Sequence, residues 1–306
     1  MVRTCRLRSK RLSRRLYEKA EETFDRSKSP WVLVQVSHRW REVALAFPKL
    51  WSFIHVTSNI KERDVARFSR SLNTLLRSAS YPLSIYIDSS VEELWDSMFY
   101  SLLPHSCRWR DIEITAQPAF FSRLAVVKGC FPLLRSAKLN VISPGHHLDF
   151  FPIIIDTFDS CPMLRDAKVI DSSSPFRLVP HLPWSQLTRF SGMYAAFQHL
   201  SYLQHASNLV ECYLSIDSLR EPIVSLDDSI VLLPHLTVLI INGDISFLNH
   251  LCLPELKSLT LNCSLKSMKS VLALIRRSSC ELTHFTLHRL TSVTTTWQRS
   301  SKLPLV

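Results

Sequence analysis

Histidine, cysteine and serine are the residues of this chain that could do chemistry, because they supply enzyme nucleophiles, general bases and metal ligands. The densest group is His146-His147 followed by Asp149, at an expected helix start where the aspartate suits the positive end of the helix dipole. The patterns H-E-x-x-H and G-x-S-x-G do not occur in the chain. We therefore predict no catalytic residue and no metal site.

The eight cysteines are scattered along the chain without a C-x-x-C pair. Zinc sites require thiolate and imidazole ligands at short paired spacings, and none is seen. Cys212 and Cys263 lie inside apolar, strand-like runs, where a free cysteine behaves as a small buried hydrophobe. Because the chain also begins without an apolar signal segment, we predict a reducing compartment, cytoplasmic or nuclear.

Glycine is rare, with four in 306 residues, and the four stand far apart. A phosphate-binding loop needs several glycines within a few residues so that backbone N–H groups can approach the phosphate. This excludes most nucleotide-dependent enzymes, and we predict no cofactor. No uncharged apolar run reaches the ~18 residues that would span a bilayer, so we also predict no membrane partner.

The positive charge of the chain, +11 overall, is concentrated at its start. Residues 1–15 contain seven lysines and arginines and no acidic residue. Residues 1–28 are predicted to be a basic tail, disordered or partly helical, with a nuclear-import patch, a transit segment and a membrane-surface helix as alternatives. Nucleic-acid binding is disfavoured because no aromatic residue lies between the basic ones, the first being Tyr17.

The elements that would position any functional residue begin with a helix. Val36, Trp40 and Val43 recur at steps of three and four residues, which predicts one amphipathic helix over residues 30–46. Trp51 follows soon after a proline, so we expect Trp40 and Trp51 to form a packed corner.

The segment VSHRWREVALAFPKLWSFIHV (residues 36–56) resembles the second half of an F-box, in the version found in a large fungal F-box-like family. The resemblance implies a small helical module, here residues 29–58, that docks on a Skp-type adaptor of a cullin-based ubiquitin ligase. The Leu-Pro that opens the family's motif is not found upstream. By motif position Val36, Trp40, Leu50 and Trp51 would be packing residues. The full set carried over is Val36, Arg39, Trp40, Arg41, Pro48, Leu50 and Trp51.

A short apolar phrase recurs about every 25 residues in the rest of the chain, as in Leu134-Ala137-Leu139 and Leu236-Leu239-Ile241. This period lies within the leucine-rich-repeat range of ~20–29 residues. Several phrases carry a proline two residues before the first apolar position, which we interpret as the end of a helix and the start of a strand. Helices are predicted between phrases, most clearly over residues 150–158, 194–203 and 265–275.

The predicted fold class is therefore α/β: the helical module is followed, over residues 59–306, by an irregular leucine-rich-repeat-like solenoid with parallel strands and outer helices. A doubly wound α/β sheet has the same alternation and remains the alternative. Side chains between the apolar positions of each strand are expected to form the partner surface. They include Arg135, Lys138, Arg165, Lys168, Tyr213, Lys257 and His284.

The predicted function is that of a non-catalytic interaction protein. We expect a substrate-receptor subunit of a Skp–cullin–F-box type ubiquitin ligase, which recruits a protein substrate through its repeat surface. A repeat scaffold without ubiquitin-ligase linkage is the alternative, because the F-box is incomplete. An α/β-hydrolase-like enzyme is a third hypothesis, disfavoured by the absence of a nucleophile turn.

Overall fold

The computed structural model describes residues 30–57, 72–89, 96–142, 153–171, 178–194, 196–216, 230–263 and 268–289. The chain divides into two compact units, Met1–His147 with Ile155–Met163, and Leu148–Ile154 with Leu164–Val306. Both units contain parallel strands joined by short helices and turns, so the predicted α/β class is confirmed. The predicted tail of residues 1–28 lies outside the described residues.

The first unit contains four parallel strands that lie side by side in sequence order. They are β1 (Phe53–Thr57), β2 (Leu83–Ser89), β3 (Trp109–Ala116) and β4 (Ser136–Val141). The helices are α1 (Leu33–Val36), α2 (His38–Leu45), α3 (72–77), α4 (Asp96–Leu102) and α5 (Pro118–Arg123), with 3-10 helices at Pro48–Trp51, Leu103–Arg108 and Leu124–Val127. Residues 53–57 of the predicted F-box-like module therefore belong to a strand that pairs with β2. A short strand, β5 (Ile153–Ile155), follows β4.

The second unit contains six parallel strands in sequence order, with shorter strands between them. The strands are β6 (Asp166–Asp171), β7 (Leu178–Pro180), β8 (Arg189–Tyr194), β9 (Glu211–Ile216), β10 (Val231–Leu232), β11 (Val238–Gly243), β12 (Leu251–Cys252), β13 (Ser258–Cys263) and β14 (His284–Arg289). The six are β6, β8, β9, β11, β13 and β14, while β10 pairs with β12. The helices are α6 (Ala196–Leu203) and α7 (Lys269–Ser278), with 3-10 helices at Trp184–Gln186 and Ile245–His250.

The recurring apolar phrases mark the strands and their buried face. Leu239 of β11 pairs in register with Cys212 of β9 and Leu259 of β13, and all three side chains are buried. Leu236, the first residue of its phrase, is buried just before β11 begins. Because side chains alternate between the two faces of a strand, in-register repeats build one continuous apolar layer and leave the opposite face open. The strand positions predicted from the phrases are confirmed.

The prolines that precede the phrases do not end helices, which corrects the prediction. Pro254 is the second residue of a turn in which the Leu256 N–H donates to the Leu253 carbonyl oxygen at 3.2 Å. Proline suits this position because its fixed φ matches the second residue of a β-turn. Pro132 and Pro234 occupy equivalent turns, closed at 3.4 Å by Leu134 and Leu236.

Two of the three helices predicted between strands are present but begin later in the chain than expected. The third prediction, a helix over residues 150–158, is wrong. Ile153–Ile155 forms a strand, because three β-branched residues favour extended backbone; residues 150–152 lie outside the described ranges. The helix predicted over 194–203 starts at Ala196, since Tyr194 still belongs to β8. The helix predicted over 265–275 is seen as Lys269–Ser278, and residues 264–267 are not among those described.

The described helices are short, and none combines the length and apolar character that a bilayer span requires.

Candidate functional site

The residues that resemble an F-box form two helices rather than the single helix predicted. Ser37 has extended backbone, φ −160° and ψ 169°, and separates α1 from α2. Its Oγ accepts a hydrogen bond from the Trp40 N–H at 3.2 Å, so the serine caps the start of α2. The Arg41 Nε donates to the Val34 carbonyl oxygen at 2.8 Å and ties α2 back to α1. These two contacts fix the start of α2 and join α2 to α1.

A packed tryptophan corner exists, but its members differ from the predicted pair. Trp51 is fully buried, and its Nε1 donates to the Ala44 carbonyl oxygen at 2.7 Å. Trp31 contacts it edge to face at 5.1 Å between ring centroids. The guanidinium carbon of Arg77 lies 4.6 Å from the Trp51 ring and 5.0 Å from the Trp31 ring, within cation–π range. Trp31 and Arg77 were missed because no repeated spacing in the sequence marks either residue.

Val36 and Trp40 do not pack inside the described part of the chain, which corrects their predicted role. Trp40 is 51% exposed and Val36 is 59% exposed. Val43 lies three residues after Trp40, on the same side of α2. Five large apolar side chains are exposed within twelve residues of the chain. The head surface, as we call it, consists of Val36, Trp40, Val43, Leu45 and Phe47.

Of the other F-box-like residues, Arg39, Arg41 and Lys49 are exposed, and Pro48 and Leu50 are half-buried. The acidic Glu42 of α2 is exposed as well. Of the seven residues carried over from the F-box resemblance, Trp51 alone is a core residue. The rest remain accessible to a partner, although Arg41 also makes the backbone contact described above.

The seven residues of the predicted partner surface fall in two different units, and only four of them lie in strands. Arg135 and Lys138 belong to the first unit and the other five residues to the second. Lys138, Lys168, Tyr213 and His284 lie in strands on the face opposite the apolar layer, and Lys138 pairs with Glu113 at 3.2 Å. The other three each lie one residue before a strand: Arg135, Arg165 and Lys257.

Two of these three residues, Arg165 and Lys257, accept hydrogen bonds from the neighbouring strand through their backbone carbonyl groups. The Arg165 carbonyl oxygen accepts hydrogen bonds from the Thr188 and Arg189 N–H groups at 2.9 and 3.0 Å. The Lys257 carbonyl oxygen accepts in the same way from Thr283 and His284. These positions are therefore fixed by the main chain, and their exposed side chains remain at the margin of the predicted surface.

An asparagine row, which the sequence analysis missed, lies on the open face of the second unit. The Asn262 Nδ2 donates to the Asn242 Oδ1, and the Asn242 Nδ2 donates to the Tyr213 hydroxyl oxygen. Asn242 pairs in register with Ser215 and with Asn262. The sequence does contain a signal, because an asparagine follows the last apolar residue of three phrases: Asn140, Asn242 and Asn262.

The predicted burial of Cys212 and Cys263 is confirmed, while Cys107 and Cys130 are exposed. Cys212 and Cys263 are 3% and 1% exposed, and burial raises the pKa of both thiols. Thiols with a raised pKa are poor nucleophiles and poor metal ligands at neutral pH. Across the described ranges, no three histidine, cysteine or acidic side chains gather as a metal site would need. The His146-His147-x-Asp149 group lies outside those ranges.

His199 is a buried histidine of α6 with no predicted role. Its side chain is fully buried, and its Nε2 lies 3.3 Å from the Ser215 carbonyl oxygen, to which the neutral ring donates. The Phe190 and Phe247 rings contact it edge to face at 6.5 and 6.0 Å. Burial lowers the pKa of His199 to about 4, although the hydrogen bond to Ser215 opposes this shift.

We expect acid to destabilise the second unit through His199. In the unfolded chain the ring takes up a proton near its ordinary pKa of 6.5, whereas the folded ring stays neutral until about pH 4. The free energy of unfolding should therefore fall by up to about 3 kcal/mol as the pH drops from 6.5 to 4. Urea denaturation at several pH values measures the free energy of unfolding.

His199→Gln should flatten the dependence of this free energy on pH. His181→Gln, at an exposed histidine, is the control and should leave that dependence unchanged. If the free energy of unfolding of His199→Gln still falls with pH as in the unmutated chain, the prediction is contradicted.

Comparison with models of protein families and with curated proteins gave no match for this chain.

Proposed function

We propose that this protein is a non-catalytic substrate receptor, which docks on a Skp-type adaptor of a cullin-based ubiquitin ligase and recruits a protein through its strand face. The observation that carries the proposal is the head surface. The five apolar side chains of the head surface are exposed, including half of the Trp40 surface, whereas Trp51 of the same segment is buried. Tryptophan is among the residues that contribute most to protein–protein binding.

The rest of the chain is proposed to be an irregular leucine-rich-repeat-like solenoid. In each unit the main strands are parallel and follow one another in sequence order. Sequential order supports stacked repeats, because a doubly wound sheet reverses its strand order at a switch point. Stacked repeats leave one face of their strands open to a partner.

The proposed adaptor contact is tested with Trp40→Asp in the full chain. We expect the affinity for a purified Skp-type adaptor, measured by calorimetry, to fall about thirtyfold or more, since removal of a central tryptophan costs about 2 kcal/mol or more of binding free energy. Circular dichroism and the denaturation midpoint should stay near those of the unmutated chain, because Trp40 is exposed.

Tyr100→Asp is the matched control. Tyr100 is an aromatic residue of α4 with 54% exposure, close to that of Trp40, but it lies outside the head surface. This variant should bind the adaptor as the unmutated chain does. A folded chain that does not bind the adaptor at all contradicts the ligase role and leaves the repeat scaffold as the explanation.

A further inference from the structure

Two cysteines of the second unit lie at one junction, where β12 packs against the end of α7. Cys252 is the last residue of β12, and its thiol donates to the Arg277 carbonyl oxygen, with 3.9 Å between Sγ and oxygen. Cys280 follows Arg277 by three residues. Burial raises the pKa of the Cys280 thiol, and charge on Cys252 raises it further. The two sulfur atoms are therefore within electrostatic range of each other.

Hydrogen bonds hold the chain on both sides of Cys252 against the last turn of α7. The Arg277 Nε donates to the Leu251 carbonyl oxygen at 2.8 Å. The Leu253 N–H donates to the Ser278 Oγ at 2.9 Å. The neighbours of Cys252 in the chain thus contact the two residues that end α7, and this fixes the position of Cys252 at the junction.

The turn after α7 brings the second thiol to the same place. Ser279 has positive φ, 48°, which ends the helix and begins the turn that contains Cys280. Cys280 is two residues from Ser278, and Cys252 is one residue from Leu253, to which Ser278 is bound. A disulfide requires the two Cα atoms to lie within about 7 Å. Its formation here requires only a local adjustment of the turn at Ser279.

The two thiols differ in their access to solvent. Cys252 is half-buried, so a small oxidant can reach it, whereas Cys280 is 7% exposed. A reachable thiol beside a second, resolving thiol is the arrangement found in redox-sensing cysteines. Cys212 and Cys263 differ from this pair, because both are buried in the apolar layer of the strands.

We propose that Cys252 and Cys280 form a reversible disulfide when the protein meets a disulfide oxidant such as oxidised glutathione. The Cys252 thiolate attacks one sulfur of oxidised glutathione, which breaks the S–S bond and gives a mixed disulfide and one glutathione thiolate. The Cys280 thiolate then attacks the Cys252 sulfur and displaces the second glutathione. The two released thiolates take up the two protons that the cysteines lost. Two protein thiols are oxidised, and one oxidised glutathione is reduced to two thiols.

The disulfide would join the end of β12 to the end of α7 and close a loop of the chain that contains β13. A disulfide stabilises a fold mainly because it restricts the unfolded chain, and it does so more strongly for longer loops. Oxidation should therefore raise the urea denaturation midpoint of the second unit. Reduction should return the midpoint to its first value. The proposal does not depend on the proposed function, since it concerns the stability of the second unit.

The test incubates the full chain with oxidised glutathione at about pH 8, close to the ordinary pKa of a thiol. Peptide mass spectrometry without reduction then identifies the disulfides. We expect one peptide pair that joins Cys252 to Cys280 and disappears after treatment with dithiothreitol. In Cys280→Ser the second step cannot occur, so glutathione should remain bound to Cys252. The rise in the denaturation midpoint should be lost in this variant.

Cys130→Ser is the matched control, because Cys130 is an exposed cysteine of the first unit. It should form the same disulfide and gain the same increase in the midpoint. If Cys280→Ser does not fold, the peptide map of the unmutated chain decides by itself. Glutathione that stays on Cys252 of the unmutated chain, a disulfide to any other cysteine, or no reaction of Cys252 overturns the proposal.

Discussion

Replacing Trp51 with alanine is expected to lower the free energy of unfolding by about 3–5 kcal/mol, as for other large aromatic residues removed from a core. The Trp51 side chain is fully buried and joins three parts of the first unit. Its N–H donates to the Ala44 carbonyl oxygen, and its ring contacts Trp31 and Arg77. The substitution removes the ring and leaves the Arg77 guanidinium without one of its two aromatic neighbours. Urea denaturation followed by circular dichroism measures the loss.

Trp40→Ala provides the matched comparison, because it removes the same side chain from an exposed position in the same segment. We expect it to change the free energy of unfolding by less than about 1 kcal/mol. If Trp40→Ala were as destabilising as Trp51→Ala, then Trp40 would be a core residue and the head surface would not exist. A comparison of the two variants therefore separates an effect on stability from an effect on adaptor binding.

Gly243→Ala is the second substitution with a large expected effect. Gly243 ends β11 with φ +111°, a backbone conformation that residues with a side chain rarely adopt. A Cβ at this position would lie 2.0 Å from the Ile216 carbonyl oxygen of the neighbouring β9. The two strands would have to separate where Gly243 and Ile216 pair. We expect a loss of about 3 kcal/mol or more, from backbone strain and overpacking together, measured by urea denaturation.

Gly129→Ala isolates the contribution of the backbone. Gly129 also has positive φ, +78°, but a Cβ there would meet no atom within 4 Å. Only the cost of holding alanine at positive φ should remain, about 1–2 kcal/mol of unfolding free energy. If Gly243→Ala and Gly129→Ala lose the same unfolding free energy, the close approach between β9 and β11 does not add to the effect of Gly243→Ala.

The same separation applies to the head surface. Trp40→Asp changes an exposed side chain, so it should leave the denaturation midpoint nearly unchanged. Trp51→Ala, by contrast, should weaken adaptor binding only as far as it unfolds the first unit. A binding defect without a stability defect is therefore the result that identifies a contact residue.

Most of the strand framework could be predicted from the sequence. Each apolar phrase places its residues at spacings that only an extended segment can bury together, as Leu256, Leu259 and Leu261 show around β13. Burial of Cys212 and Cys263 followed from the same spacing, because each cysteine lies two residues from a buried leucine and therefore on the same face of its strand. Helix boundaries were less accurate, since the predicted helix over 150–158 contains three consecutive isoleucines that form a strand.

The residues exposed on the candidate surfaces could not be predicted from the spacing of apolar residues in the sequence. Val36 and Trp40 have the periodicity of a buried stripe, but Ser37 interrupts the helix and both side chains face solvent. Asn242 and Asn262 are twenty residues apart in sequence, and only the register of β11 and β13 makes them neighbours.

The sequence by itself determined the α/β class, the positions of the strands and which strand side chains are buried, because removal of apolar groups from water follows local alternation. Only the tertiary structure decided which tryptophan is core and which is exposed, and which polar side chains meet across strands. Those outcomes arise from contacts between residues distant in the chain, such as Arg77 with Trp51, and no local pattern encodes such contacts.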